Sequence, residues 1–242
     1  MSAIPTLLAL ALNLPFAGPV DQVQILFTTG CSAPRGVQNE YRRMLDQEVL
    51  PLLLGERILN RKVRLVLAGV TGRSYTAPSW VMETPDPLST SRLALERQRK
   101  ELHRKALQAF DDIRKRTTAE CRSGTETIAA LRAAGERTRG SGRILVLTHG
   151  FEQSEIVNLY NYNLKLHLPE VRASIRKRVK EKIGLPNLKG QEVCFAGITS
   201  GYDANANARL TANIRLFWEE LIAESGGKLM GYGVSTRNCS FL

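Results

Sequence analysis

The chain has 242 residues, 43% of them hydrophobic, and its 34 Lys and Arg against 23 Asp and Glu give a formal net charge of +11. That length suits one large α/β domain with a sizeable core, and the basic balance favours acidic partners such as nucleic acid, an anionic surface or an acidic protein. No run reaches the roughly 18 apolar residues needed to span a bilayer, so an integral membrane protein is not expected, and Cys31, Cys121, Cys194 and Cys239 follow no metal-ligand spacing.

Residues 1–20 form an apolar segment, running from Ile4 to Ala17 and interrupted by Asn13 and Pro15. It has the length of a signal-peptide core and equally suits a tail packed on the domain. No Lys or Arg precedes it, which favours a cytoplasmic location over export. The remainder, 21–242, reads as a single domain. Its first strand is the run from Val23 to Phe27, which stops in Thr28, Thr29, Gly30, Cys31 and Ser32. Tyr41, Leu45 and Val49 then recur at helical spacing in 39–50, with Pro51 kinking or ending the helix and Gly55 closing it.

Residues 62–70, mostly Val and Leu, predict a strand buried on both faces. The next segment, 71–91, carries Pro78, Pro85 and Pro87 and reads as a long irregular connection. Across 92–116, Leu95, Leu102, Ala106, Phe110 and Ile113 make one apolar stripe against a basic outer surface that includes Arg97, Arg99, Lys100, Arg104, Lys105 and Arg114. A turn at Ser123, Gly124, Thr125 and Glu126 leads into a helix burying Ile128, Leu131 and Ala134. Residues 144–148 are a short apolar strand that stops at His149 and Gly150.

The Asn- and Tyr-rich segment 154–167 has no periodicity that assigns it. Pro169 opens a helix with Val171, Ile175, Val179 and Ile183 inward and Arg172, Arg176, Lys177 and Lys180 outward. Residues 192–198 form a buried strand, 199–206 a polar loop with Asp203, and the following helix buries Leu210, Ile214, Phe217 and Leu221. A last short strand covers 229–233. Strands alternating with helices call for a Rossmann-like, doubly wound, mostly parallel α/β sheet with helices on both faces. Ligands of such sheets bind beyond the carboxyl ends of the strands.

Three loops at that edge carry unusual chemistry: Thr28 to Ser32, Ser123 to Thr125, and Thr148 to Gly150. In these loops and in the surrounding strand pattern the chain resembles the von Willebrand factor A-like (vWA) domains. That family places a metal-ion-dependent adhesion site here, with Asp-x-Ser-x-Ser after the first strand, a Thr in a turn before a helix, and an Asp after the fourth strand. The resemblance implies a vWA-like fold, first and fourth strands side by side, and a protein-binding edge formed by Thr28, Gly30, Ser32, Thr125 and His149. The motif itself is degenerate: Thr28 stands for the first Asp, Gly30 for the first Ser, and His149 for the later Asp. Only Ser32 and Thr125 match metal ligands, and Mg²⁺ ordinarily needs at least one or two carboxylates, so no tightly bound Mg²⁺ is expected.

Two further readings stay open. Cys31 and His149, with Asp203 orienting the imidazole, have the residue types of a thiol hydrolase or acyltransferase; against this, Cys31 fills a small space and His149 caps a strand end. Cys31 and Cys121 flank loops that converge on the same edge, so they either pair as a disulfide in an oxidising compartment or remain free thiols, while Cys194 reads as core. The basic helices over 92–116 and 172–182 suit either solvated faces or a nucleic-acid-associated accessory protein, although no nucleic-acid motif accompanies them.

Overall fold

The computed structural model describes residues 20–55, 61–121, 123–138, 140–161, 163–198 and 208–240. Residues 1–19, which hold the apolar N-terminal segment, and the loop containing Asp203 lie outside the described residues. Six strands form one sheet: β1 (Val20–Thr28), β2 (Lys62–Val70), β3 (Ser79–Glu83), β4 (Gly142–Leu147), β5 (Gln191–Ala196) and β6 (Lys228–Tyr232). Their order is β3-β2-β1-β4-β5-β6, and every pairing is parallel except β2 with β3. The expected doubly wound α/β architecture is present, and β1 and β4 are neighbours.

Period-two alternation sends the side chains of the parallel strands into two separate cores. On one face Leu26, Ile144, Val146, Val193 and Phe195 pack under α4 (Thr127–Arg137), α5 (Pro169–Lys182) and α6 (Ala208–Glu224). On the other, Ile25, Phe27, Leu65, Leu67, Leu145 and Leu147 meet α1 (Arg35–Met44), α2 (Leu50–Leu53) and α3 (Arg92–Glu120). Phe27 stacks on Phe110 of α3 at 4.2 Å between ring centroids, and full burial of such a ring is worth about 2–3 kcal/mol. This near-continuous apolar patterning is what a parallel sheet covered on both sides requires.

Two expectations are corrected and one open alternative is decided. The segment 71–91 is not wholly irregular, because β3 pairs antiparallel with β2 along its edge. Its signal is the alternation of half-buried Trp80 and buried Met82 with exposed Ser79, Val81 and Glu83, which the neighbouring prolines obscure. Of the two readings of Pro51, a kink and a stop, the structure has the irregularity, with the helix running on to Leu53. A π-helical turn at Leu45–Val49 joins α1 to α2, widening the helix where Pro51 has no N–H to give and its ring crowds the preceding turn. Arg172 does not point outward: it is buried, its guanidinium 2.7 Å from Glu220 and bonded to the Leu166 carbonyl at 2.7 Å.

All four cysteines are paired, Cys31 with Cys121 and Cys194 with Cys239. The second bridge lies in the core and ties the last 3₁₀ turn (Thr236–Asn238) to β5. Of the two readings left open for Cys31 and Cys121 the structure has the disulfide, and Cys194, read as core, is both buried and paired. No helix among the described residues is long and apolar enough to cross a membrane.

Candidate functional site

The β1–β4 register sets Phe27 opposite Leu147, which brings the next residues, Thr28 and Thr148, level at the carboxyl edge. Both are fully buried, and Thr28 Oγ1 donates to Thr148 Oγ1 at 2.9 Å. Thr148 Oγ1 also accepts from the Gly150 N–H at 3.2 Å. Beyond Thr28 the chain turns sharply. The Thr29 N–H bonds the Val70 carbonyl, and the Thr29 hydroxyl meets that of Thr117 on α3 at 3.0 Å. Gly30 adopts φ +73°, and a Cβ there would stand 3.1 Å from the Thr117 carbonyl oxygen, so both conformation and space call for glycine.

Cys31 is exposed and bonded to Cys121 at the end of α3. From within α1 the buried Gln38 amide donates to the carbonyls of Gly30 at 3.0 Å and Ala33 at 2.7 Å. The loop 29–34 is thereby held from both sides. Around it run a cavity of about 200 Å³, lined by Gly30, Arg73, Thr117 and Glu120 among others, and a broader groove of about 750 Å³ reaching Arg35, Asp111 and Lys115.

Thr125 enters the same edge from the segment between α3 and α4. It is buried, and its N–H and carbonyl exchange hydrogen bonds with Gln153, each at 2.9 Å. Two acidic residues near this edge, Glu126 and Glu152, are engaged by the backbone. Glu126 accepts from the Ser74 N–H at 3.2 Å, and burial raises its pKa. Glu152 is buried and accepts from the Ile128 N–H at 3.1 Å, in the first turn of α4. Burial pushes its pKa up to about 8, outweighing the opposing bonds from Ser154 and the first-turn N–H groups. Glu152 therefore carries a proton over most of the neutral range, even though it occupies a helix N-terminus that by itself favours negative charge.

His149 is buried with both ring nitrogens engaged. Its Nδ1 accepts from the Phe151 N–H at 3.3 Å, which places the ring hydrogen on Nε2, 2.8 Å from the Tyr160 hydroxyl. Tyr160 stacks on Phe151 at 4.5 Å, and the Trp218 indole N–H donates to the Gly150 carbonyl at 2.8 Å. At Gly150, φ is +88° and the Tyr232 hydroxyl occupies the place a Cβ would take. The imidazole is a strut in a packed loop.

Thr28, Gly30, Thr125 and His149 all lie at the carboxyl edge, as the sequence places them. The side chain of Ser32 and all of Asp203 lie outside the described residues. Cys31 Sγ is bonded to Cys121 and offers no thiolate to His149, so the nucleophile of the thiol-enzyme reading is taken up in a cross-link. The family's Mg²⁺ requires carboxylate oxygens, whereas the side chains meeting between β1 and β4 are threonine hydroxyls bonded to each other, and Glu126 and Glu152 turn to backbone N–H groups. That donor set does not fit the ion. Among the described residues no group of three His, Cys, Asp or Glu is arranged to hold a metal.

Sequence reasoning places Trp218 in the core, where it is, but missed its bond to Gly150, the role of Tyr160 and the burial of Glu152. Tyr160 sits in the unassigned segment, and nothing local marks Trp218 as a donor to a loop 68 residues away.

No protein-family model matches the sequence, and no curated protein matches it. Solved structures do match. A von Willebrand factor type A protein from Catenulispora acidiphila is 9% identical, over 88% of this chain and 38% of that one, with a TM-score of 0.36. The pilus adhesin SpaC from Lactobacillus rhamnosus GG, in its open conformation, is 13% identical over 83% of this chain and 26% of that one, TM-score 0.39. The human COPII-coat protein Sec24c is 13% identical over 92% of this chain and 31% of that one, TM-score 0.40. The chain thus spans well under two thirds of the length of each.

Proposed function

We propose that this vWA-like fold serves as a non-enzymatic protein-interaction module, binding a partner protein through its carboxyl-edge loops without a tightly held Mg²⁺. The observation that carries the reading is the braced loop 29–34, cross-linked to α3 through Cys31–Cys121 and held from α1 by Gln38. A loop fixed in this way presents Pro34, Arg35 and their neighbours to a partner with little ordering cost. The hydroxyl pairing of Thr28 with Thr148 supports a contact that does without metal, because it ties the motif's first position directly to the residue before its third, His149. The two disulfides support work in an oxidising compartment.

The test is affinity capture from the native source, run in parallel with wild-type protein and an Arg35→Glu/Arg73→Glu variant of unchanged melting temperature, each with and without EDTA. The expected result is one partner held by the wild type, indifferent to EDTA and lost in the variant. Retention by the variant would remove the carboxyl edge from the interaction. Loss on EDTA treatment, or submillimolar Mg²⁺ binding by calorimetry that disappears in Thr125→Ala, would overturn the metal-free reading.

A further inference from the structure

A second surface stands apart from the carboxyl edge, along the outer side of β3. Because β3 is the outermost strand of the sheet among the described residues, one side of its backbone pairs with no described strand. The Thr84 N–H bonds the Val63 carbonyl and the Gly69 N–H bonds the Pro78 carbonyl. In the antiparallel register of β3 on β2 this makes the even-numbered residues from Pro78 to Thr84 the ones that bond β2. The N–H and carbonyl groups of Ser79, Val81 and Glu83 accordingly point to the open edge, and all three residues are exposed.

This edge is short, and Glu83 at its end is paired with Lys62 and Arg64, but its middle carries no such protection. It has no proline or bulge between Ser79 and Glu83, and Val81, at its centre, is 47% exposed. Among the described residues, four of the eight exposed large hydrophobic side chains, Tyr75, Val81, Leu88 and Leu93, fall within the short stretch 75–93 that contains the strand.

Beside the strand, between β3 and α3, lies a cavity of about 340 Å³. Trp80, Ala109 and Ile113 contribute its apolar surface, and the charged side chains around it are Lys105, Asp112 and Arg116, two cations to one carboxylate. The helix behind it carries nine Arg and Lys against five acidic residues.

We propose that the β3 edge, with the β3–α3 cavity, is a docking site for an extended acidic peptide of a partner protein, which adds to the sheet as a seventh strand. Main-chain hydrogen bonds to Ser79, Val81 and Glu83 supply affinity, and alternate side chains of the added strand reach the cavity, where Lys105 and Arg116 select negative charge. The charge also sets the choice of occupant. Edge-to-edge pairing of two copies would bring together two α3 helices of like net charge in chains of +11 each, whereas an acidic strand meets opposite charge.

The test measures fluorescence anisotropy of a labelled ten-residue peptide of alternating Glu and Val on the full chain, against a Lys/Val counterpart, with sedimentation velocity of the protein alone. Val81→Pro deletes an N–H that faces the open edge and spares the bonds to β2, a position where edge strands accept proline. Lys105→Glu/Arg116→Glu changes only surface charge and gives a second readout if the proline variant does not fold. The expected result is saturable binding of the Glu/Val peptide that falls at least tenfold in each variant and weakens with salt, with the Lys/Val peptide at least tenfold weaker. Equal binding of the two peptides, undiminished binding in the charge-reversed variant, no binding by the wild type, or a wild-type dimer abolished by Val81→Pro would each overturn the proposal.

Discussion

Thr28 and Thr148 meet hydroxyl to hydroxyl at 2.9 Å, fully buried, at the ends of two adjacent parallel strands. In the vWA resemblance, these residues belong to the first and third loops of a metal site. Here they join the carboxyl edge directly, and Thr148 does more of the joining because it also holds the Gly150 N–H.

That asymmetry predicts an order of stability. Thr28→Val removes one hydroxyl contact and should cost about 1 kcal/mol, while Thr148→Val also leaves the Gly150 N–H without its acceptor and should cost about 2–3 kcal/mol. Urea unfolding of the two variants checks this; equal losses would show that the Gly150 bond contributes nothing.

Glu152 predicts the pH dependence of stability. Its pKa in the folded protein is raised to about 8 from an ordinary value of 4.5, so the folded state binds the proton more tightly than the unfolded chain does. The contribution is complete below pH 4.5 and is lost as pH rises to about 8, with a slope of at most about 1.4 kcal/mol per pH unit. Glu152→Gln keeps an acceptor for the Ile128 N–H and removes the titration. Its stability should be flatter than the wild type's between pH 5 and 8, as read from melting temperatures across that range, and an unchanged slope would show that another group is responsible.

The two disulfides should differ in accessibility. Cys31 and Cys121 are exposed, whereas Cys194 and Cys239 are buried. Graded reductant followed by alkylation and mass spectrometry should open the first pair in the native protein and the second only on unfolding. The loops they close span 90 and 45 residues, so removing either pair should cost about 2–5 kcal/mol. Simultaneous reduction of both would contradict this ordering.

His149 is expected to act on the loop and not on a substrate. Tyr160→Phe removes the partner of Nε2 at a cost of about 1 kcal/mol. His149→Ala also strips the Phe151 N–H of its acceptor and leaves a cavity, at about 3 kcal/mol. Amide exchange at Phe151 should accelerate in His149→Ala and stay near wild type in Tyr160→Phe; protection of Phe151 in both variants would remove the strut.

The helices and parallel strands were legible because each must bury one face, and burial leaves a period in the sequence. Residues 62–70 coincide with β2, and Pro169 opens α5 where its missing N–H is harmless. β3 was hidden because its five residues are flanked by prolines and only Trp80 and Met82 turn inward. Arg172 looked like its exposed basic neighbours because periodicity records which face a residue occupies, not whether a carboxylate such as Glu220 awaits it there.

By itself the sequence determined the doubly wound α/β fold, the loops that reach the carboxyl edge, and the scarcity of carboxylates at the motif positions. Only the tertiary structure decided that Cys31 pairs with Cys121, that Thr28 bonds Thr148, that Glu152 is buried at the start of α4, and that His149 is locked between Phe151 and Tyr160. The division has a physical cause. Hydrophobic burial repeats along the chain and can be read locally, whereas a hydrogen bond or a cross-link joins residues tens of positions apart and leaves no periodic trace at either end.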